Sequence, residues 1–315
     1  MNNILLLTPV FTHNIWGGTR LKEEFGYKVE GNDIGECWGI AAHPNGDTTV
    51  SNGVYKGMKL SEVWKLHPEL FGKENTLEEV FPLLIKIIDA RDDLSIQVHP
   101  NDEYARMNEN GSLGKMECWY ILDCEEDSKL VIGHNAKSKK ELIRMIEENR
   151  WNEWIREIPV KKGDFIQINP GTVHAIKGGI MLLETQQNSD ITYRVYDYDR
   201  LSEGKPRELR INKSIDVITT PMEPVENCVK TNLELKVNCL NELYNCDCYI
   251  VFEVSVNGGF VDSMPAPYML ASVVDGEGIV NGQAVKKGSH FILTAECDKI
   301  EMSGQMKLIC YVVNL

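Results

Sequence analysis

Strict alternation of apolar and polar residues predicts two strands in the first half of the chain. From Leu94 to His99 every second residue is apolar, so Gln97 and His99 point to the same side of the predicted strand. About twenty residues later the segment KMECWYIL has the same two-residue period, which directs Lys115 and Glu117 to one face. The pattern therefore predicts that an imidazole, an amide, an ammonium and a carboxylate share a common space.

A denser apolar run between Phe81 and Ile88 contains a single charged residue, Lys86. A run of this length is typical of a strand that is buried on both faces. An unpaired ammonium group is costly to bury. Lys86 is therefore expected either at a solvated edge or facing a polar site with an anionic partner, and the density of apolar residues around it favours the second interpretation.

Short helices are predicted to interrupt the strands. Ser61–Gly72 and Asn101–Asn110 each have the length and the end residues of a brief helix. The clearest helical pattern lies in 138–158, where Ser138 and Glu141 form a capping box and apolar residues recur at helical spacing. We predict that this segment is a small helical insertion in a mainly β chain.

An internal repeat predicts two similar β-barrels. The sequence VKKGDFIQI at Val160–Ile168 returns as VKKGSHFIL at Val285–Leu293, and 219–226, with two prolines and little periodicity, reads as a linker. We therefore expect a first domain over 1–222 and a second over 227–315. The later copy has no counterpart of the Pro-Gly-Thr-Val-His turn that follows the first, so only the first barrel is expected to bind a metal.

Composition and charge narrow the class of partner. The chain has 315 residues and a formal net charge of −14, which argues against binding to nucleic acid or to an anionic membrane surface. A small anionic substrate stays compatible with this charge, provided that a few basic side chains and a metal dominate its site. Nine scattered cysteines, no secretory leader and no apolar window of membrane-spanning length predict reduced thiols and a cytoplasmic protein.

The candidate chemistry is a set of metal ligands. His99 and Glu117 lie on the two alternating strands, and His174 follows the turn Asn169–Thr172. Each of these residues alone would ordinarily be a structural histidine or a solvated carboxylate. Two imidazoles and a carboxylate together suit a borderline divalent cation such as zinc and leave a coordination position open for chemistry.

These motifs resemble the cupin barrel in the version found in the type I mannose-6-phosphate isomerase (phosphomannose isomerase) family, in its short bacterial form. The resemblance rests on IWGG at Ile15–Gly18, QVHPNDEYA at Gln97–Ala105, GKMECWYI at Gly114–Ile121, PGTVHAI at Pro170–Ile176 and ETQQNSDITYR at Glu184–Arg194. It implies a mainly β fold of two cupin-like (jelly-roll) barrels. The motifs cover most of the first 210 residues, whereas the last ninety match more in pattern than in motif.

The resemblance also implies residue roles. It places one Zn²⁺ per chain on His99, Glu117 and His174 with Gln97 as a fourth ligand, and the catalytic residues on Arg194, Lys115 and Lys86. It implies interconversion of mannose 6-phosphate and fructose 6-phosphate by proton transfer through an enediol. Either lysine could serve as the base if burial lowered its pKa, and Glu184 and Asp190 are carboxylate alternatives.

Several alternatives stay open at the level of sequence. Arg194 suits either stabilisation of the enediolate or a grip on phosphate, or it could simply pair with Asp190 or Asp197. A non-catalytic metal- or sugar-binding cupin module and an iron-dependent cupin dioxygenase are rival functions, because fold alone does not separate them. The sequence does not decide between a monomer and a homodimer.

Overall fold

The computed structural model describes residues 3–74, 76, 79–202 and 204–314. Strands and helices are numbered in chain order. A sheet of seven antiparallel strands forms the central layer of the molecule. In spatial order its strands are β18 (Val229–Lys230), β12 (Phe165–Ile168), β9 (Glu117–Cys124), β14 (Ile180–Gln187), β7 (Leu83–Ala90), β2 (Val10–Gly18) and β3 (Ile34–Ile40).

Both faces of this central sheet are covered, and for this reason every residue of β7 and β14 is buried. Along these strands Ile88 and Leu182 face one side, whereas Ile87 and Leu183 face the other. A single charged residue inside the apolar run of β7, Lys86, lies on the same side as Ile88. The alternation therefore directs Lys86 away from the solvated edge and into the interior of the first barrel.

A sheet of five antiparallel strands covers the Ile88 side. Its order is β11 (Ile155–Pro159), β10 (Lys129–His134), β13 (His174–Ile176), β8 (Ile96–Val98) and β15 (Tyr193–Tyr196). Its Leu130, Ile132 and Ile176 pack with Ile88 and Leu182 of the central sheet. The two sheets thus form the first barrel, with apolar residues filling one end and the candidate site at the other.

An eight-stranded antiparallel sheet forms the second barrel. Its strands are β19 (Asn241–Asn245), β20 (Tyr249–Ser263), β24 (Lys299–Val313), β21 (Met269–Val280), β23 (His290–Leu293), β1 (Ile4–Thr8) and β6 (Thr49–Val50), with β22 (Gln283–Lys286) beside β21. Phe291 and Leu293 point into its apolar interior. Strands β1 and β6 come from the N-terminal part of the chain and cross the division expected at 222–227.

The two barrels share one apolar core. The outer face of the central sheet contributes Ile87, Tyr120 and Phe165 to this core, and the eight-stranded sheet contributes Ile292 and Tyr311, among other buried residues. Because the core is continuous, neither sheet could be exposed to water on this face without losing a large apolar contact area. The second barrel therefore covers the outer face of the sheet that holds the site.

The remaining elements are short. They are the paired strands β4 (Ala42–His43) and β5 (Gly46–Asp47), the hairpin β16 (Leu201–Ser202) and β17 (Lys205–Pro206), helices α1 (Arg20–Glu23), α2 (Leu60–Leu66), α3 (Asp102–Asn108), α4 (Lys139–Glu147), α5 (Trp151–Trp154) and α6 (Ile211–Val217), and 3-10 turns at Pro68–Phe71 and Val225–Asn227. None of the helices in the described part of the chain is long and apolar enough to cross a membrane.

The prediction of a helix over 138–158 is correct only for the first half of this segment. The Ser138 hydroxyl accepts a hydrogen bond from the Glu141 amide at 3.2 Å and starts α4, which ends at Glu147. Asn149 then adopts a left-handed backbone with φ of 54°, a conformation that an α-helix does not continue through. After the single turn of α5 the chain becomes strand β11, because pairing with β10 satisfies its backbone groups.

Candidate metal centre and its cavity

The metal-ligand candidates come from three elements that meet at one end of the first barrel. Gln97 lies in β8 and is the antiparallel register partner of His174 at the start of β13. Glu117 begins β9 on the opposite sheet. The turn before His174 depends on Gly171, whose backbone has a φ of +84° and whose amide donates to the His99 carbonyl at 2.9 Å. This hydrogen bond ties the turn to the strand that carries the other imidazole.

The three side chains form a compact and fully buried set. The Nε2 atoms of His99 and His174 are 3.2 Å apart. Glu117 lies 3.5 Å from His99 Nε2 through Oε2 and 3.4 Å from His174 Nε2 through Oε1. All three residues are at most 1% exposed. The structure therefore brings together the His-Glu-His set that the sequence predicts.

Hydrogen bonds on the far side of each ring define which nitrogen carries the proton. His99 Nδ1 lies 2.7 Å from the Ile191 carbonyl oxygen, and His174 Nδ1 lies 2.9 Å from the Thr172 carbonyl oxygen. Because a carbonyl oxygen can only accept, Nδ1 is the donor and each neutral ring keeps a lone pair on Nε2. Burial lowers the pKa of His99 well below its ordinary value and that of His174 to about 4, so both rings are neutral near pH 7.

Glu117 adds carboxylate oxygens to the two imidazole lone pairs of this set. Its Oε2 accepts a hydrogen bond from Lys115, but Oε1 has no hydrogen-bond partner among the described residues. Burial raises the pKa of Glu117 to about 7, against the opposing charge of Lys115. Two imidazole lone pairs facing each other beside an unsatisfied carboxylate oxygen are unfavourable alone and suit a divalent cation.

Gln97 lies at the edge of this set. Its Nε2 is 3.3 Å from His174 Nε2 and is placed to donate to that lone pair. To act as a fourth ligand, the Gln97 amide would turn about its last torsion and present its carbonyl oxygen instead. Three donors are therefore already oriented for a cation, and the fourth predicted ligand needs a rotation of the amide.

Lys86 and Lys115 meet a buried carboxylate, Glu184, on strand β14. Its Oε1 is 3.5 Å from Lys86 Nζ and 4.0 Å from Lys115 Nζ, and its Oε2 accepts from Trp119 Nε1 at 3.0 Å. Burial opposes ionisation of Glu184, but the charges of Lys115 and Lys86 outweigh it and hold the pKa of Glu184 below its ordinary value. The ionised form of Glu184 is thus the stable one in this site.

The alternative in which Lys86 serves as the base depends on a pKa lowered by burial beside a metal. Burial acts in that direction, but the carboxylates of Glu36 and Glu184 outweigh it and raise the pKa of Lys86 above its ordinary value. Glu36 lies on β3, with Oε2 3.7 Å from Lys86 Nζ, and the Trp38 ring centroid is 4.9 Å from the same atom. Lys86 therefore faces a polar site with anionic partners, as one of the two sequence interpretations holds.

A cavity of about 200 Å³ adjoins the donor set. Gln97 and Lys115 connect the cavity with the metal ligands, because both line its wall and both contact a histidine of the set. The other side chains of its wall that bear on the chemistry are Trp16, Trp38, Lys86, Glu184, Arg194 and Arg207. The cavity thus combines four cationic side chains with two indole rings, a lining suited to a phosphorylated sugar.

Arg194 lies in this wall and has no ion pair within the described residues. Its Nε donates to the Ser95 hydroxyl at 3.2 Å and its Nη1 to the Glu208 carbonyl at 3.0 Å. The alternative in which Arg194 simply pairs with an aspartate is therefore wrong. Asp197 pairs with other arginines, and Asp190 lies 3.8 Å from His43 Nε2 instead.

Arg207 is a residue of the cavity wall that sequence reasoning missed. It follows the hairpin of β16 and β17, and its guanidinium is held by Asp197. The signal that could have found it is local density, because four arginines occur between Arg194 and Arg210 in a chain with 33 basic and 47 acidic residues. A concentration of guanidinium groups against such a background indicates an anion.

Comparison with known proteins places this geometry in a family. The family model for the phosphomannose isomerase type I catalytic domain matches residues 4–122, and that for the mannose-6-phosphate isomerase cupin domain matches residues 242–313. The chain is 48% identical over 311 residues to a mannose-6-phosphate isomerase of Bacillus subtilis, covering 97% of each chain. It is 44% identical over 310 residues to the mannose-6-phosphate isomerase of Streptococcus mutans, covering 97% of this chain and 96% of the relative.

Solved structures agree with the fold described above. The crystal structure of the mannose 6-phosphate isomerase from Bacillus subtilis superposes with a TM-score of 0.88 at 41% identity, covering 99% of this chain and 100% of that one. A phosphomannose isomerase variant from Salmonella typhimurium, at 15% identity, has the same fold with a TM-score of 0.79 over 99% of this chain and 100% of that one. The expected mainly β fold with cupin-like barrels is confirmed, and the chain belongs to the type I phosphomannose isomerase family.

Proposed function

We propose that this protein is an aldose–ketose isomerase that interconverts mannose 6-phosphate and fructose 6-phosphate. The observation that carries the proposal is the buried set of His99, Glu117 and His174 beside a cavity with four cationic side chains. Relatives named mannose-6-phosphate isomerase, at 44% and 48% identity over nearly the whole chain, support it. The proposal assigns the chemistry to residues 1–222 and a supporting role to 227–315.

His99, Glu117 and His174, with Gln97 after rotation of its amide, would hold one Zn²⁺ per chain. Two imidazole nitrogens and one carboxylate match the donors of catalytic zinc sites of the His₂Glu type. When bound, the cation supplies Lewis-acid polarisation of a carbonyl or hydroxyl oxygen of the sugar. Glu117 offsets part of its charge, and the carbonyls of Ile191 and Thr172 orient the two imidazoles.

The buried ion pairs beside the ligands hold the charges that isomerisation needs. Proton transfer between carbons 1 and 2 of the sugar develops negative charge on oxygen, and preorganised ammonium groups stabilise such charge strongly in a water-poor cavity. Lys86, with its raised pKa, stays protonated and acts as a fixed cation and hydrogen-bond donor, and Lys115 lies next to the metal ligands. We assign proton acceptance to Glu184, which is held ionised between these two lysines.

Arg194 is the third residue to which the proposal gives a catalytic role. We expect Arg194→Lys to keep the fold and the metal but to lower kcat/KM by roughly two to four orders of magnitude, because lysine cannot reproduce the planar, oriented guanidinium. Steady-state kinetics then separates its two roles. A loss mainly in kcat assigns it to the enediolate, and a loss mainly in KM assigns it to phosphate. Near-wild-type values for both parameters would reject a role in the reaction.

The direct test of the function is a coupled assay of mannose 6-phosphate turnover, with and without a strong chelator. We expect turnover by the purified protein, its loss after dialysis against the chelator, and its return on addition of zinc. The unliganded fold should survive the dialysis, which circular dichroism can verify. Full activity in protein shown by elemental analysis to contain no metal would reject the metal-dependent mechanism, and lack of turnover by the metal-loaded protein would reject the function.

A further inference from the structure

A second cavity, of about 270 Å³, lies between the two barrels, and we call it the inter-barrel cleft. Strand β9 supplies Tyr120 and Leu122 to its wall, and the second barrel supplies Val274 of β21. Because side chains alternate along β9, Tyr120 faces the core between the barrels, whereas Trp119 faces the interior of the first barrel and contacts the His174 ring. The cleft is therefore separate from the cavity beside the metal ligands, and its role does not depend on the proposed function.

Three lysines line the inter-barrel cleft. Lys162 and Lys287 occupy equivalent positions in the repeated KKG turns of the two barrels, and Lys307 lies in β24. None of the three forms an ion pair with a carboxylate of the described residues, and Lys287 Nζ instead lies 4.4 Å from the centroid of the Phe25 ring. In a chain with 33 basic and 47 acidic residues, such a group of unpaired ammonium groups indicates an anion.

The carboxylates of the cleft wall do not neutralise these lysines. Arg20 engages two of them, because its Nε lies 2.7 Å from Glu24 Oε1 and its Nη2 pairs with Asp123. Asp275 is the third, and although it is the register partner of Lys307, the two side chains form no ion pair. Three positive charges thus face one uncommitted negative charge, an excess of two. A phosphate group with one ester bond or none carries about −1.5 to −2 charges at pH 7 and matches this excess.

A buried hydroxyl supplies a further donor to the same cleft. Tyr120 is 5% exposed, and its hydroxyl has no hydrogen-bond partner among the described residues. The hydroxyl oxygen lies 4.0 Å from the place that a Cβ on Gly163 would occupy in the cleft wall. Burial first, and then the charge of Glu253, raise the pKa of Tyr120 to about 12, so the hydroxyl keeps its proton. A buried donor without an acceptor is unfavourable, and an oxygen of a bound ligand would satisfy it.

We infer that the inter-barrel cleft binds a small phosphate-type dianion, held by the ammonium groups of Lys162, Lys287 and Lys307 and by the Tyr120 hydroxyl. Lysine binds phosphate as a point charge, and the volume of the cleft suits a ligand smaller than a drug-sized molecule. Its donors come from both barrels, so the bound anion joins them. Binding to the folded protein alone therefore stabilises the contact between the barrels.

The test compares two double variants that remove the same charges from the same two turns. Lys162→Gln with Lys287→Gln changes the cleft, whereas Lys161→Gln with Lys286→Gln changes the neighbouring lysines, which do not line it. We expect calorimetry on the full-length protein to find two inorganic phosphate ions per chain in the wild type and the control, one in the cleft and one beside the metal ligands. The cleft variant should lose one of them, with its affinity lowered by at least about tenfold, and the control should change it by less than about threefold.

Tyr120→Phe tests the hydroxyl without changing the charge. We expect it to weaken phosphate binding in the cleft by about three- to tenfold, the scale of one neutral hydrogen-bond donor. Glycerol phosphate, titrated against the same variants, distinguishes the two sources of the ligand. Binding that follows the same order of variants extends the site to phosphate esters, whereas binding of inorganic phosphate alone restricts it to the free ion, and either result supports the cleft.

The position of the bound anion can be observed directly. We expect crystals of the wild-type protein soaked in tungstate, a heavy analogue of phosphate, to show an anomalous peak in contact with the Tyr120 hydroxyl and the lysines. A peak beside the metal ligands and none in the cleft would overturn the inference, and so would equal losses of phosphate affinity in the two double variants. A KM for mannose 6-phosphate that rises in the cleft variant as much as phosphate affinity falls would overturn it as well. Failure of the wild type to turn over mannose 6-phosphate would reject the proposed function and leave the tungstate result unaffected.

Discussion

The turns at Lys161–Gly163 in the first barrel and Lys286–Gly288 in the second have the same backbone geometry. Gly163 and Gly288 have φ values of 88° and 85°, and the amide of each donates at 2.9 Å to a carbonyl of the neighbouring strand, Ile121 or Val273. In each turn the side chain after the glycine, Asp164 or Ser289, accepts from the amide of the first lysine. The sequence repeat therefore corresponds to a real structural repeat.

A buried histidine, His290, follows the turn of the second barrel, and its surroundings differ from those of the candidate ligand His174 in the first barrel. His290 occupies the position that Phe165 has in the first copy, and both point into the core between the barrels. Its Nδ1 lies 2.8 Å from the Ser272 hydroxyl and its Nε2 lies 2.9 Å from the Tyr27 hydroxyl. Tyr27 donates to the Gly288 carbonyl at 2.8 Å, so it can accept from His290 Nε2 while Ser272 donates to Nδ1.

The difference shows what distinguishes a candidate metal ligand from a structural histidine when both are buried. Both nitrogens of His290 have protein partners with compatible roles, and no carboxylate of the described residues pairs with the ring. His174, in contrast, has Nδ1 paired with a backbone carbonyl, while its Nε2 faces the lone pair of His99 and Glu117, with the rotatable Gln97 amide as its one neighbouring donor among the described residues. Burial lowers the pKa of both histidines to about 4, so the pKa alone does not separate them. The arrangement of donors and acceptors does.

The largest effect should come from removing the second barrel. We expect the fragment 1–226 to be insoluble or to lack a cooperative unfolding transition, because it would expose the apolar core shared with Ile292 and Tyr311 and leave β1 and β6 without their sheet. Size-exclusion chromatography and thermal unfolding would show this. A fragment that is soluble, unfolds cooperatively and has full activity would contradict the supporting role of residues 227–315.

A smaller loss of stability should follow when a cavity is created inside the second barrel by shortening a buried side chain. Phe291 is fully buried there, and we expect Phe291→Ala to lower the free energy of unfolding by about 3–5 kcal/mol, as for other buried phenylalanines. Urea titration followed by tryptophan fluorescence gives this value. The metal content of the folded variant should equal that of the wild type. Loss of metal at unchanged stability would mean that this interior takes part in the site.

The smallest effect concerns the pH dependence contributed by His290. Burial lowers the pKa of His290 from 6.5 to about 4, so the unfolded chain binds a proton here at a higher pH than the folded protein does. The stability that neutral His290 contributes is complete above pH 6.5 and is lost as the pH falls towards 4, in total by about 3 kcal/mol. The stability difference between wild type and His290→Ala should therefore shrink between pH 7 and pH 5 in urea titrations. A difference that stays constant over this range would show that His290 does not titrate as described.

Strand alternation predicts that Gln97 and His99 share one face and that Lys115 and Glu117 share another, because a period of two fixes which side chains point to the same side. His174 is predicted from its place after the Asn169–Thr172 turn. The features that the sequence does not predict depend on contacts between segments that are far apart in the chain. Strand β11 forms because β10 offers it hydrogen bonds, and the raised pKa of Lys86 depends on Glu36, fifty positions earlier in the sequence. The orientation of Arg207 is visible only once Asp197 is known to accept from its Nε and Nη2.

The central claim, that the shared framework carries a metal in the first barrel alone, is tested most directly by the metal content per chain. Elemental analysis of the purified wild type, His174→Ala and His290→Ala under identical conditions provides the comparison, with circular dichroism to verify folding. We predict about one divalent metal per chain in the wild type and in His290→Ala, and almost none in His174→Ala. Metal retained by His174→Ala, or lost from a folded His290→Ala, would contradict the account.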